Sequence, residues 1–377
     1  MPAPSEKFLF ADQLRGVAAV LVLISHMLGS FWFARGVVAT FLFAPPLASP
    51  TPSWVAGLAA VPVNPGALGV AIFFMVSGFV IPFSFRTHGT VGFLGARLLR
   101  IYPVYWVALG AGLAVRYGSA CYWGQPFRIG PYVLLSNALL VNDLVGVGSI
   151  DLVNWTLAIE LKFYLLYALT RHLVLRWRGW LAVACGAMTV GLSLTATLLL
   201  PLLPFRAASI VTALTNEAML LPFMLLGSLL ALHVRGQLSA AAVAVTSATV
   251  LLLMALAWRV GPDAAAFVAV APNYVLGWAI FAACTAARHR FAPRRSLRVL
   301  ASISYPLYLV HSAVGYAVLR VMIDAGTGVP MALVLAIALS AGLAIVIHQG
   351  VERRSVALGR RLALRPADGT HLAGPGR

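Results

Sequence analysis

The sequence predicts an all-α polytopic membrane protein of about ten transmembrane helices, with both termini in the cytoplasm. Three observations carry this expectation. Of the 377 residues 61% are apolar and only 10% charged, whereas soluble domains hold roughly 45–50% apolar and about 25% charged residues. The apolar residues come in runs close to the ~20 that a hydrocarbon core of ~30 Å demands of a helix. The basic residues, finally, collect on alternate connections between those runs.

The first run, Gly16 to Phe33, follows Glu6, Lys7, Asp12 and Arg15 and is closed by no small-residue cleavage site, so it reads as a retained helix and not a signal peptide. Scanning onward for apolar runs bounded by charge, Pro or Gly gives spans at 12–34, 67–85, 100–117, 155–172, 180–201, 212–233, 238–260, 264–287, 297–322 and 330–351. Within the second, Ser77 and Gly78 form a small-residue packing site. Pro131 to Val141 is apolar but too short to cross, and is expected to lie in the interface or to re-enter the protein. Residues 1–355 read as a single transmembrane domain and 356–377 as a disordered cytoplasmic tail, its end after Arg361 being rich in Gly, Pro and Ala.

Net charge is +17, from 27 Lys and Arg against 10 Asp and Glu. With the N-terminus inside, twenty basic residues fall on cytoplasmic connections, six (Arg35, Arg116, Arg128, Arg206, Arg259 and Arg320) on the opposite set, and Lys162 within a span. That asymmetry is the positive-inside signature, and it accounts for the charge without a nucleic-acid partner. Cys121, Cys185 and Cys284 are too few and too scattered for a disulfide framework or a thiolate metal site. No P-loop, HExxH, GxSxG or dinucleotide fingerprint is present, and no metal site is expected.

Ionisable residues inside spans are costly and therefore mark function by default. Asp12, Arg15 and His26 project from one helix face, because 11 residues make almost three turns, and His26 lies about 16 Å deeper than Arg15. Imidazole suits a general base near neutral pH; the alternative is a hydrogen bond to a neighbouring helix. Glu160 lies about a turn and a half into the fourth span, with Tyr164 and Tyr167 on its face. A structural pair with Lys162 or with an arginine elsewhere is the alternative to a functional role. Arg97 and Arg100 stand on one face at the start of the third span, where they can clamp a phosphate or simply set topology. Ser304, Tyr308 and His311 make a polar stripe on the ninth span, which lines a path or joins helices.

Together these segments resemble the acyltransferase-3 family of bacterial integral-membrane O-acyltransferases. The matching pieces are DQLRGVAAVLVLISH at 12–26, FFMVSGFVIPF at 73–83, RLLRIYPVYW at 97–106, NWTLAIELKFYLLY at 154–167 and SISYPLYLVH at 302–311. The resemblance implies ten transmembrane helices and transfer of an acyl group, commonly acetyl, from cytoplasmic acyl-CoA to a hydroxyl, often on a sugar. Its Arg-x10-His pattern falls on Arg15 and His26, its Arg-x-x-Arg pattern on Arg97 and Arg100, and its acid after a Trp on Glu160, with Trp155 before it. It thus implies His26 as general base or, less directly, acyl carrier. Glu160 would orient the imidazole, and Arg15, Arg97 and Arg100 would hold the donor phosphates. Asp12, Trp155, Tyr305, Tyr308 and His311 are supporting candidates. Acetyl-CoA would be a co-substrate and not a bound cofactor, the acceptor a carbohydrate or glycosylated molecule, and the location the bacterial inner membrane. Two departures from the family are expected: Thr51 to Pro65 reads as a Pro-rich external loop with no family counterpart, and no soluble hydrolase-like domain is expected after the last span. The rival expectation is a secondary transporter using Asp12, Arg15, His26 and Glu160 as a proton or substrate relay.

Overall fold

The computed structural model describes residues 9–84, 89–177 and 179–363, and these form helices with no strand among them. Helix α1 (Leu9–Ile24) continues through a π-helical turn, Ser25–Ser30, to Phe33. The short α2 (Arg35–Leu42) and α3 (Ser53–Ala59) lead to α4 (Pro65–Ser84), α5 (Thr90–Tyr122) and another short helix, α6 (Pro131–Ala138). There follow α7 (Trp155–Trp177), α8 (Gly179–Leu199), α9 (Phe205–Val234), α10 (Ala240–Val260), α11 (Phe267–Ala286), α12 (Arg295–Asp324) and α13 (Val329–Ile347). A second π-helical turn, His348–Glu352, joins α13 to α14 (Arg353–Ala363).

Among the described residues nine helices are long and apolar enough to cross a membrane. Each expected span falls on a helix. The one not counted in the nine is α7, which carries Glu160, Lys162, Arg171 and Arg176. At 23 residues it reaches ~35 Å, enough to cross. Its direction agrees: Trp155 lies beside Asn64 and Asp263 at one end of the bundle, and Arg176 beside Leu238 and Ala242 at the other. Lys162 is neutralised inside by Asp143 and by Glu217 at 2.6 Å.

The inner helices are α4, α9 and α12, with 67%, 78% and 78% of their apolar windows buried; α8 and α11, at 22%, face outward. α1 packs on α4 and α12, α4 on α9 and α11, and α12 on α5 and α13. The α4–α9 contact is backbone against backbone. A Cβ at Gly78 would fall 1.9 Å from the Met224 carbonyl oxygen, and one at Gly227 2.4 Å from that of Met75. Ser228 Oγ donates to the Gly78 carbonyl at 2.8 Å, so the small-residue site at Ser77–Gly78 is a true helix contact.

Two expectations change. Thr51–Pro65 is not wholly a loop, since it contains α3. The tail expected to be disordered from 356 is helical to Ala363; composition after Arg361 says little about this segment, whose Gly359 rests on Ala96 of α5. Residues 364–377 lie outside the described residues. Of the two alternatives for Pro131 to Val141, the chain re-enters the protein. After α6 it reverses at Leu140 (φ 56°). Asn137 is fully buried, donating to the carbonyls of Val133 and Gly148 and accepting from the Ile150 amide and Asn154. Irregular backbone survives inside a bundle only when satisfied in this way. Arg116 closes the connection by donating to the carbonyls of Phe41 at 2.6 Å and Ile150 at 2.9 Å.

Asp151 lies in the same connection, outside the spanning helices, and accepts from Ser312 Oγ at 3.3 Å. Burial pushes its carboxyl from 3.8 up to about 6, against the pull of Arg116 and Ser312. The folded protein therefore holds more protons than the unfolded chain between those values, and stability falls as pH rises through that window. Asp151→Asn removes this penalty: in thermal melts its midpoint is expected to exceed wild type by a few degrees at about pH 7.5 and to converge with it near about pH 4. For the helix contact, Gly78→Ala is expected to lose ~1–3 kcal/mol of stability through overpacking. Gly110→Ala, with nothing within 4 Å of the added methyl, is expected to melt like wild type.

Candidate active site

His26 sits in the π-helical turn of α1, a distortion that often marks functional sites in helices. Glycines on the neighbouring helices let them approach this turn. A Cβ at Gly66 would meet Ser25 Oγ at 2.6 Å, and one at Gly315 would meet Met27 Cε at 2.1 Å. His26 Nδ1 is hydrogen-bonded to the Tyr316 hydroxyl at 2.7 Å. The His311 ring stands edge-on to it, with centroids 4.7 Å apart and planes at 90°. His311 Nδ1 faces two carbonyls of its own helix, Leu307 at 3.1 Å and Tyr308 at 2.9 Å. Carbonyls only accept, so this nitrogen carries the hydrogen. The lone pair is left on Nε2, which is buried without a partner.

Glu160 occupies a different level. It accepts from Ser77 Oγ at 2.7 Å and from the Tyr164 hydroxyl, and it shares a narrow cavity of about 60 Å³ with Arg15, Arg100 and Tyr305. Tyr305 marks this level on α12 and Tyr316 marks that of His26, about three turns apart. The carboxylate–imidazole pair expected from triad logic is therefore not formed. Glu160 lies in the field of Arg15 and Arg100, a stronger attraction for a carboxylate than a neutral ring, while His26 takes hydroxyl and imidazole neighbours instead.

The expected phosphate-binding arginines divide. Arg15, with Asp12 at 3.5 Å, and Arg100 both line the narrow cavity and a larger one of about 1110 Å³. Arg97 lines neither. It donates to Ser84 Oγ at 2.5 Å and lies over the rings of Phe93 and Tyr164 at 5.3 and 5.2 Å, bracing a tyrosine that holds Glu160. The large cavity gathers Arg15, Arg100, Arg288, Arg298, Arg353 and Arg360 against only Asp12 and Glu352. Such a surplus of guanidinium groups suits a polyanion.

On the other side of the narrow cavity lies a third, of about 390 Å³, lined by His26, Trp155 and Tyr308 among others. Tyr308 and Val70 belong to both. Tyr308 is hydrogen-bonded to Thr156 Oγ1 at 2.8 Å, and Tyr305 donates to the Ile101 carbonyl at 2.9 Å. Three cavities thus follow one another along the bundle, from the arginine-rich end, past Glu160, to His26. Among the described residues no three of His, Cys, Asp and Glu gather where they could hold a metal ion.

The structure adds Tyr316, Ser77 and Thr156 as direct partners of the predicted residues. Hydroxyl residues carry no sequence signal of their own in a membrane span, and Tyr316 lies off the Ser304–Tyr308–His311 stripe. Tyr164 was legible from its position one turn from Glu160.

A family profile described as an acyltransferase domain matches residues 8–349. Nodulation protein 10 of Rhizobium leguminosarum bv. viciae is 30% identical over 147 residues, which cover 32% of this chain and 38% of that protein. The chain thus spans well under half of that relative's length. No solved structure matches. The profile takes in α1 through α13 and enters the π-helical turn that follows, so it includes His26, Arg97, Arg100, Glu160 and the α12 stripe; the chain belongs to the acyltransferase-3 family.

Proposed function

We propose that the protein is an acyl-CoA-dependent O-acyltransferase of the bacterial inner membrane, acting on a hydroxyl of a carbohydrate or glycosylated acceptor. The observation that carries this reading is the continuity of the three cavities through shared walls, Arg15 and Arg100 at one junction, Val70 and Tyr308 at the other. The arginine-rich end faces the cytoplasm by the positive-inside rule and receives the phosphates of acyl-CoA against Arg15 and Arg100. The slender pantetheine arm threads past Glu160 and brings the thioester to His26. Acetyl, the common choice in the family, is the acyl group taken here.

His26 is the base. With Nδ1 donating to Tyr316, its Nε2 presents a lone pair and takes the acceptor's hydroxyl proton as the oxygen attacks the thioester carbonyl. The new C–O bond forms, the C–S bond breaks, and the imidazolium returns its proton to the CoA thiolate. An acyl-imidazole route would use the same residue. The apolar bundle keeps water from the thioester. The family match favours this chemistry over the secondary transporter.

In nanodiscs, acetyl-CoA binding measured by calorimetry tests the reading, and no binding by folded protein overturns it. His26→Ala is expected to bind acetyl-CoA within about threefold of wild type and to lower acceptor-dependent CoA release by about 10²–10⁴-fold, the range for losing a general base. Arg100→Gln is expected to weaken acetyl-CoA binding by about 10-fold or more, as loss of a charged hydrogen bond does. Arg97→Gln is expected to lower the melting temperature more than the affinity, because its guanidinium braces Tyr164 and Ser84.

A further inference from the structure

Apart from the three cavities that follow one another past Glu160, a groove of about 920 Å³ opens between the end of α7 and the starts of α8 and α10. Its depth and its direction restrict what can fill it. α8 and α10 have 21 residues each and reach ~32 Å, the thickness of a hydrocarbon core. Both are peripheral, with 22% and 28% of their apolar windows buried, and Val245 on the groove wall is 69% exposed. The groove therefore opens sideways into the membrane. Arg176 places it in the cytoplasmic half by the positive-inside rule.

The mouth of the groove is cationic and aromatic. Arg176 stands in the last turn of α7, no Asp or Glu lines the groove, and among the described residues Arg176 has no ion-pair partner. Trp177 and Trp180 flank it, both exposed. Tryptophan collects at headgroup level, where its N–H meets polar groups and its ring meets the acyl chains. Farther in, Thr246 and Thr249 line the groove. Thr249 Oγ1 donates to the Val245 carbonyl at 3.0 Å, the usual recourse of a hydroxyl in a membrane helix. Thr246 makes no hydrogen bond among the described residues, and its Oγ1 faces Gly179, where a Cβ would fall 2.5 Å away. It lies six residues, or ~9 Å, into α10. A free hydroxyl at that depth leaves a donor that lipid tails cannot satisfy. Read inward from the mouth, a cation, two indoles, a free donor and the aliphatic walls Val183 and Val245 match the phosphate, ester and acyl chain of a phospholipid.

We propose that this groove is a binding site for one anionic phospholipid of the cytoplasmic leaflet. Its phosphate pairs with Arg176, an ester carbonyl accepts from Thr246 Oγ1, and an acyl chain lies along Val183 and Val245. A zwitterionic lipid balances its phosphate with its own ammonium group, so an unpaired guanidinium favours a lipid that carries net charge. The bound lipid closes the gap between α7, α8 and α10 and braces the three helices. The site is separate from the donor and acceptor chemistry and does not depend on it.

The test uses the full chain, delipidated in detergent and titrated with phosphatidylglycerol or with phosphatidylcholine of the same acyl chains, the bound lipid being counted by native mass spectrometry. The first phosphatidylglycerol is expected to bind about fivefold more tightly than the first phosphatidylcholine, the scale of one arginine beside an anionic lipid. Arg176→Gln is expected to erase that preference, whereas Arg259→Gln, at the opposite end of α10, keeps it. Thr246→Val, which preserves the shape and deletes the hydroxyl, is expected to weaken both lipids about threefold. In nanodiscs, replacing phosphatidylcholine with phosphatidylglycerol is expected to raise the melting temperature of wild type by a few degrees and to leave that of Arg176→Gln unchanged. Equal affinity of wild type for the two lipids overturns the proposal. So does a preference that survives Arg176→Gln, disappears in Arg259→Gln, or comes with unchanged binding of both lipids in Thr246→Val.

Discussion

An apolar bundle can hold a carboxylate only where hydroxyls and cations replace the water it has lost. Glu160 meets that condition through Ser77 and Tyr164 and through the field of Arg15 and Arg100. Those four partners come from α1, α4, α5 and α7, so the carboxylate ties together the helices whose walls form the narrow cavity. The arginines gain from the same arrangement. Arg15 and Arg100 stand partly inside the bundle, and Glu160 behind them with Asp12 beside them offsets their desolvation. The cluster still leaves the large cavity strongly positive, because six guanidinium groups face two carboxylates there. A cavity suited to a polyanion and a stable bundle thus follow from one placement of charge.

Close helix approach supplies the geometry that this charge arrangement requires. Gly78 and Gly227 bring α4 and α9 into backbone contact, and Gly66 and Gly315 bring α4 and α12 onto the π-helical turn at His26. Larger residues at these positions would widen the bundle, and a wider constriction at Glu160 would admit water to the path. Small residues in membrane helices substitute packing for the hydrophobic drive that lipid does not provide. Here they also set the size of the cavities.

The legible part of this protein is the part governed by hydropathy and by helical spacing. Apolar runs mark every long helix, α7 among them despite the four charged residues that keep it outside the nine membrane candidates, and the 11-residue interval of Arg15 and His26 puts them on one face at different depths. What sequence spacing within one helix cannot register is which helices meet. Arg97 and Arg100 share a face of α5, yet one lies over the ring of Tyr164 from α7 and the other opens into the cavities, a distinction set by neighbouring helices. The family resemblance and triad logic imply that Glu160 orients the His26 imidazole, but their depths differ by the rise of helices with opposite direction. The re-entrant segment was ambiguous for the same reason. Its backbone is satisfied by Asn137 from within the segment and by Tyr102, Tyr105, Trp106 and Arg116 from α5.

Two imidazoles stand in contact, and hydrogen-bond chemistry separates their roles. His311 Nδ1 faces carbonyl oxygens that never donate, so its tautomer is fixed and its Nε2 is always the lone pair. His26 Nδ1 faces a hydroxyl, which both donates and accepts, so either ring nitrogen of His26 can carry the proton. A transfer reaction requires a base that takes a proton from one oxygen and surrenders it to a departing sulfur, with its partner adjusting at each stage. Tyr316 makes that adjustment possible for His26, and Ser30 is a further polar neighbour of the same hydroxyl. His311, closed off from the cavity and locked by its own helix, instead presents a constant acceptor edge beside the ring that changes. Under the proposed function, these partners favour His26 over His311 as the base, whichever of them lies nearer the membrane centre.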